Sequence, residues 1–222
     1  MQIRPQAIER YWTSTAKAIE ALGGEVEELR MDSPASPDAV EAVERRLGVA
    51  LPVAFKDVLI GFSKHARFCW RLPEDFPLPD EFREIFCGDI NWTLARLVDV
   101  EESRRSWVRE CFPDPDDPYD RHWHNKLAFY EVPNGDHLAI DLSNEHLGAI
   151  VYLSHDDGEG HGLKMANSFE SLILNWSMIG GVGGEDWQWL PFYNHQASEI
   201  SPNGKAAHRF RDLIGFGIPE NW

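Results

Sequence analysis

The sequence predicts an α+β fold: N-terminal helices, a central, mostly antiparallel sheet, then C-terminal helices. Three observations predict it. Ile8, Tyr11, Trp12, Thr15, Ala18, Ile19 and Leu22 recur at helical spacing, and two more helical stripes follow by residue 62. Short strand-like runs then crowd the second half around Asn134-Gly135, the strongest short hairpin signal a sequence offers. The apolar share of 43% in 222 residues supplies a core and excludes wholesale disorder.

Each element has a local reason. The first helix spans Ile3 to Leu22 and stops at Gly23-Gly24. Ser36 caps the next, with Pro37 in its first turn and Asp38 suiting the dipole; Val40, Val43 and Leu47 are its apolar stripe and Gly48 its stop. Pro52 opens a third through Phe55, Val58, Leu59 and Phe62. Phe68-Cys69-Trp70 reads as a short strand, Pro73 to Pro79 as a stiff loop, and Ile90 to Thr93 as extended. A helix capped by Asp99 runs through Val100, Ser103, Trp107 and Cys111, and the loop Asp114 to Asp120 must be exposed. Leu127 to Val132, His137 to Asp141, Ala149 to Leu153 and Leu163 to Met165 are strands of the main sheet. Ser168 caps a helix with Glu170 near the capping-box position, and Gly180 to Gly184 reads as a flexible or tight-turning connector. One last helix, with Ala206, Phe210, Leu213 and Ile214, follows Gly204.

Charge bounds the function. Lys and Arg number 21 against 37 Asp and Glu, a net charge of −16, which disfavours DNA, RNA and anionic lipid and favours a basic partner. From Leu127 to Gly204, 78 residues, Lys164 is the sole Lys or Arg beside eleven carboxylates, so the sheet half is expected to present a one-signed surface. The longest apolar run, Leu147 to Leu153, is far short of the roughly 20 residues of a membrane span. With no signal core at the N-terminus, a cytoplasmic protein is expected. Cys69, Cys87 and Cys111 are widely spaced, with no Cys-x-x-Cys pair, and read as reduced thiols.

Two segments carry a resemblance. In the first, Glu44, Leu47, Gly48, Leu51, Pro52 and Phe55 form a helix end, a Leu-Gly stop, a Leu-Pro restart and an aromatic. In the second, Asn134-Gly135-Asp136, Asp141, Gly148 to Tyr152 and Ser168-Phe169 give a turn, an Asp-ending strand, a Gly-led strand and a Ser-Phe helix. Together and in this order they resemble the SUKH superfamily of cell-wall-synthesis regulators and bacterial immunity proteins. The resemblance implies a SUKH-like domain over 37–180, with a helical extension at 1–36 and an appendage at 181–222. It implies binding rather than catalysis: an immunity protein that occludes a cognate nuclease or deaminase toxin or, alternatively, a regulatory scaffold without a toxin.

Within that reading the expected partner surface is Trp70, Trp92, Trp123 and Tyr119 as aromatic anchors, with Asp114, Asp116, Asp117, Asp156, Asp157 and Glu159 around them. No cofactor or metal is expected. His155-Asp-Asp-Gly-Glu-Gly-His161 packs metal-ligand types together, but its spacing fits no helical ligand pair and a glycine loop does not preorganise ligands. A metal-dependent hydrolase using His155 and His161 is therefore the weakest alternative. No Gly-x-Ser-x-Gly or comparable nucleophile motif is present.

Overall fold

A computed structural model describes residues 5–217. In chain order they form α1 (Pro5–Ala21), β1 (Glu25–Met31), α2 (Pro37–Leu47), α3 (Val53–Gly61), β2 (His65–Arg71), β3 (Cys87–Thr93), α4 (Leu97–Glu110), β4 (Lys126–Glu131), β5 (His137–Asp141), β6 (Ile150–Leu153), β7 (Lys164–Ala166), α5 (Phe169–Met178), α6 (Asp186–Trp189), β8 (Tyr193–Asn194), β9 (Glu199–Ile200) and α7 (Lys205–Ile214). The class is α+β, as the sequence predicts. Every paired strand is antiparallel, in sheets ordered β1-β2-β3, β4-β5-β6-β7 and β8-β9. Among the described residues no helix is long and apolar enough to cross a membrane.

The corner between α2 and α3 explains the first motif. Ser36 Oγ accepts from Ala39 N, and Gly48 closes α2 in the left-handed region at φ 74°. Glu44 then clasps the corner: its Oε1 accepts from Leu51 N at 2.7 Å and pairs with Lys56 Nζ at 2.6 Å. Leu47, Leu51 and Phe55 are thereby driven into the core.

The first half is less helical than its periodicity predicts. It holds a whole sheet, whose edge strand β1 reads Glu-Val-Glu-Glu-Leu-Arg-Met and is largely exposed. Val26 and Leu29 sit opposite Trp70 and Phe68, while Glu27 pairs with Arg71 and Glu28 with Arg67. The charges of an exposed edge strand mask the element.

The four-stranded sheet is buried on both faces, so its strands read as continuous apolar runs. Leu127, Phe129, Leu138, Ile140, Ile150 and Tyr152 belong to the main core. Ala128, Ala139, Val151 and Leu153 pack on the other face with Val100 of α4 and Trp123. Glu101 rivets α4 to the edge strand. Its buried carboxylate accepts from Arg104 at 2.7 and 2.9 Å, from Arg105 at 2.8 Å and from Ala128 N of β4 at 2.9 Å. The Ala128 N–H lies at the β4 bulge and would otherwise be unpaired.

Three local expectations are corrected. Asp99 lies inside the first turn of α4, whose cap is Arg96. Ser171, not Glu170, completes the capping box with Ser168. Of the two readings of Gly180 to Gly184 the tight-turning one holds and the flexible one does not: Gly180 and Gly181 turn at φ 83° and 64°, the segment is buried, and Trp70 Nε1 and Trp176 Nε1 donate to Gly180 O and Val182 O at 2.8 and 2.7 Å. Ile8 and Trp12 of α1 and Phe210 and Ile214 of α7 belong to the same core as Phe68 and Trp176, so both ends of the described chain share one core with the segment between them.

Candidate functional site

Two loops, 112–125 before β4 and 154–163 between β6 and β7, meet at one end of the four-stranded sheet. The first is stiffened from within. Asp117 Oδ1 accepts from Tyr119 N at 2.7 Å and Asp120 N at 3.1 Å, Asp114 Oδ1 from Asp116 N, and Asp120 Oδ2 from Asp114 N. Tyr119 then locks it to the second loop. Its hydroxyl donates to Ser154 O at 2.6 Å and accepts from Asp157 N at 3.1 Å. The His161 ring lies flat on the Tyr119 ring, with centroids 3.7 Å apart and planes 10° from parallel. Ser154 N donates to His161 Nδ1 at 3.0 Å, which leaves the proton on Nε2 to donate to Tyr119 O at 3.0 Å.

Beneath the second loop lies a buried carboxylate. Asp136 Oδ1 accepts from His155 N at 2.9 Å and lies 2.7 Å from His155 Nδ1, and Oδ2 accepts from Tyr152 Oη at 2.5 Å and Asn134 Nδ2 at 2.8 Å. Burial pushes this carboxyl up, but the bonds from Tyr152, His155 and Asn134 outweigh it and hold it below its ordinary range. Asp136, His155 and Asp156 are the grouping among the described residues whose potential metal-ligand atoms lie within 4.8 Å of one another. Asp136 is already saturated by hydrogen bonds, and both His161 nitrogens serve the loop backbone. His155 and His161 therefore hold the loop together and do not converge as a ligand pair.

The electrostatics of the face follow. Segments 114–124 and 154–162 carry Asp114, Asp116, Asp117, Asp120, Asp156, Asp157 and Glu159 against Arg121 alone. The backbone N–H groups of Asp120 and Tyr119 hold Asp117 below the ordinary aspartate range. Burial and the neighbouring His161 push His122 down to about 4, and burial lowers His161 as well. Both imidazoles are thus neutral near pH 7 and leave the negative charge uncompensated.

The predicted site residues divide cleanly. Asp114, Asp116, Asp156, Asp157 and Glu159 are exposed, Asp117 and Tyr119 half-buried, and the two loops bring all seven together from segments some forty positions apart. The three tryptophan anchors are a correction. Trp70, Trp92 and Trp123 are at most 1% exposed. Trp70 and Trp92 donate to Gly180 O and Ser63 O inside the core, and Trp123 stacks on Phe112 at 4.8 Å under the first loop. They build the scaffold and present nothing to a partner. The one-signed surface is also narrower than expected. Asp136, Asp141 and Asp186 are buried, Asp141 against Lys126 at 3.2 Å. Sequence reasoning misses the pairing of Tyr119 with His161, whose only signal is two aromatic rings in polar loops.

Comparison with known protein families matches residues 34–175 to the SMI1/KNR4 family (SUKH-1), and the chain belongs to that family. The match covers the α2–α3 corner, both larger sheets apart from β1, and most of α5. A search of curated proteins finds no match.

Proposed function

From membership of the SMI1/KNR4 family and the acidic two-loop face, we propose that this chain is a non-catalytic cytoplasmic binding module. On this reading it is an immunity protein that occludes a basic toxin domain of nuclease or deaminase type. The observation that carries it is the set of seven carboxylates on two loops stapled by Tyr119 and His161, with Arg121 as the one cation among them. An enzyme that grips nucleic acid needs a basic surface. A preorganised acidic face steers toward that surface, raises the association rate, and excludes the substrate by occupying it.

The test is co-expression with the product of the adjacent reading frame. That product should arrest growth alone and be neutralised by this chain. Asp156→Lys, Asp157→Lys and Glu159→Lys combined should slow association by roughly ten-fold or more at low salt and flatten its salt dependence. Folding should change little, since exposed loop charges contribute little to stability. A harmless neighbour, or an association rate indifferent to both salt and the triple reversal, refutes the proposal.

A further inference from the structure

Within this acidic reading, on which the inference rests, the aromatic anchors are still to be found, since Trp70, Trp92 and Trp123 are buried. Among the described residues the large apolar side chains left exposed are Leu29, Val53, Phe86, Leu147 and Trp187. Two of these are brought to one place. Gln188, next to Trp187, donates from Nε2 to Glu84 O and Cys87 Sγ, both at 3.2 Å, and so straddles Phe86. Gly183 N also donates to Cys87 O. On the other side, Asp186 Oδ2 accepts from Gly160 N at 2.8 Å, which ties Trp187 to the acidic loop 154–162. The turn that carries Trp187 is thus tied on one side to that loop and on the other to the segment that carries Phe86.

The turn that carries Trp187 is rigid. Asp186, Gln188 and Trp189 of α6 are buried, and Asp186 Oδ1 accepts from Trp187 N at 2.8 Å. Trp187 is nevertheless 45% exposed and Phe86 also 45%. Two half-exposed aromatic side chains on an anchored turn and the segment bonded to it, beside an acidic loop, have the form of interface anchors.

The surrounding charge selects the occupant. Arg83 and Arg71 are the nearby cations, and each is already paired, with Glu84 at 3.2 Å and Glu27 at 3.1 Å. Glu185, beside Trp187, has no ion pair among the described residues. Burial and then the carboxylates Asp89, Asp136 and Asp186 push its carboxyl upward, so a cation brought to it would be welcomed. We infer that Trp187 and Phe86 are the anchors of the binding face and dock an arginine-bearing segment of the basic partner. The guanidinium lies over the Trp187 ring with its charge toward Glu185 and Asp156 to Glu159, and its aliphatic stem lies toward Phe86.

The probe is an octa-arginine peptide, titrated into the full chain by calorimetry at low salt, with octa-lysine in parallel. Arginine should bind more tightly than lysine, and the Trp187 indole resonance, assigned by its loss in Trp187→Leu, should shift. Trp187→Leu should weaken arginine binding by about two- to five-fold, the exposed-site range for a cation over an aromatic ring. Phe86→Ser should weaken it in the same direction and serves as the second variant if Trp187→Leu lowers the melting point. Val53→Ser, an exposed apolar position elsewhere, should change nothing. If the aromatic variants bind like wild type while the triple loop reversal weakens binding, the anchors are wrong and the acidic face survives. If neither set matters, or the peptide does not bind at all, both readings fall.

Discussion

Protonation of His137 should make this fold acid-sensitive, and the structure fixes both the window and the sign. His137 is fully buried on β5, with its ring edge-on to Trp123 at 5.8 Å. Nε2 lies 3.2 Å from Ser103 Oγ, and that hydroxyl donates to Glu131, so Nε2 carries the proton. Nδ1 is buried with no acceptor, so a second proton would find neither water nor a partner. Burial is the leading cause that pushes this histidine down to about 4; Arg104 and His155 act in the same direction and Asp136 against. The unfolded chain takes up the proton near its ordinary value of about 6.5. Stability is therefore fully present above that value and is lost as pH falls toward 4, because the unfolded state then binds one more proton. The loss relative to about pH 8 is about 2 kcal/mol at pH 5 and about 3 kcal/mol at pH 4. The assay is urea unfolding of wild type and His137→Phe from about pH 8 to pH 5, above the range where most carboxylates titrate. His122 and His161, also lowered, add the same sign, while the raised Asp89, Glu185 and Asp186 oppose it; all cancel in the comparison. The slope of stability against pH should be shallower in the variant by up to about 1.4 kcal/mol per pH unit. Equal slopes would refute the argument.

Two further perturbations follow from single sites. Gly48 sits at φ 74° with nothing within 4 Å of the place a Cβ would take, so Gly48→Ala should lose only the left-handed strain, about 1 kcal/mol by chemical denaturation, and Gly48→Asn less. Glu101→Gln removes the charge that two arginines and a strand N–H share, leaving Arg104 buried without its counter-ion; a loss of about 3 kcal/mol is expected in the same assay, and under 1 kcal/mol would mean the α4 contact does not depend on it.

The parts of the fold legible in sequence are those where one short-range signal decides. Ser36-Pro37 with Gly48 bounds α2 because capping and left-handed closure act on three or four residues. Asn134-Gly135 fixes the β4–β5 hairpin for the same reason. What is not legible is decided by distant partners. β1 is held by ion pairs to Arg67 and Arg71, some forty residues on, and its charged face conceals its strand character. Gly180 to Gly184 reads as either flexible or tight-turning because glycine is permissive, and only the packing decides: a Cβ at Gly183 would fall 1.5 Å from Gln188 Oε1. Here glycine permits close packing and signals no freedom.

The candidate site divides along the same line. Charge is largely legible because most carboxylates in these two loops stay in water: Asp114, Asp116, Asp156, Asp157 and Glu159 are exposed, whereas Asp136 and Asp186 are buried by distant donors that the sequence does not show. Aromatic anchors are harder to read because hydropathy scores a buried and an exposed indole alike. Periodicity separates them. Ala66, Phe68 and Trp70 alternate along β2, and Ile90 and Trp92 along β3, so each tryptophan lies on its strand's apolar face and belongs to the core. Trp187 and Trp189 are two residues apart in a single helical turn, about 200° around its axis, so they cannot both face inward. Trp189 is fully buried, and the turn leaves Trp187 to the solvent beside the acidic loop.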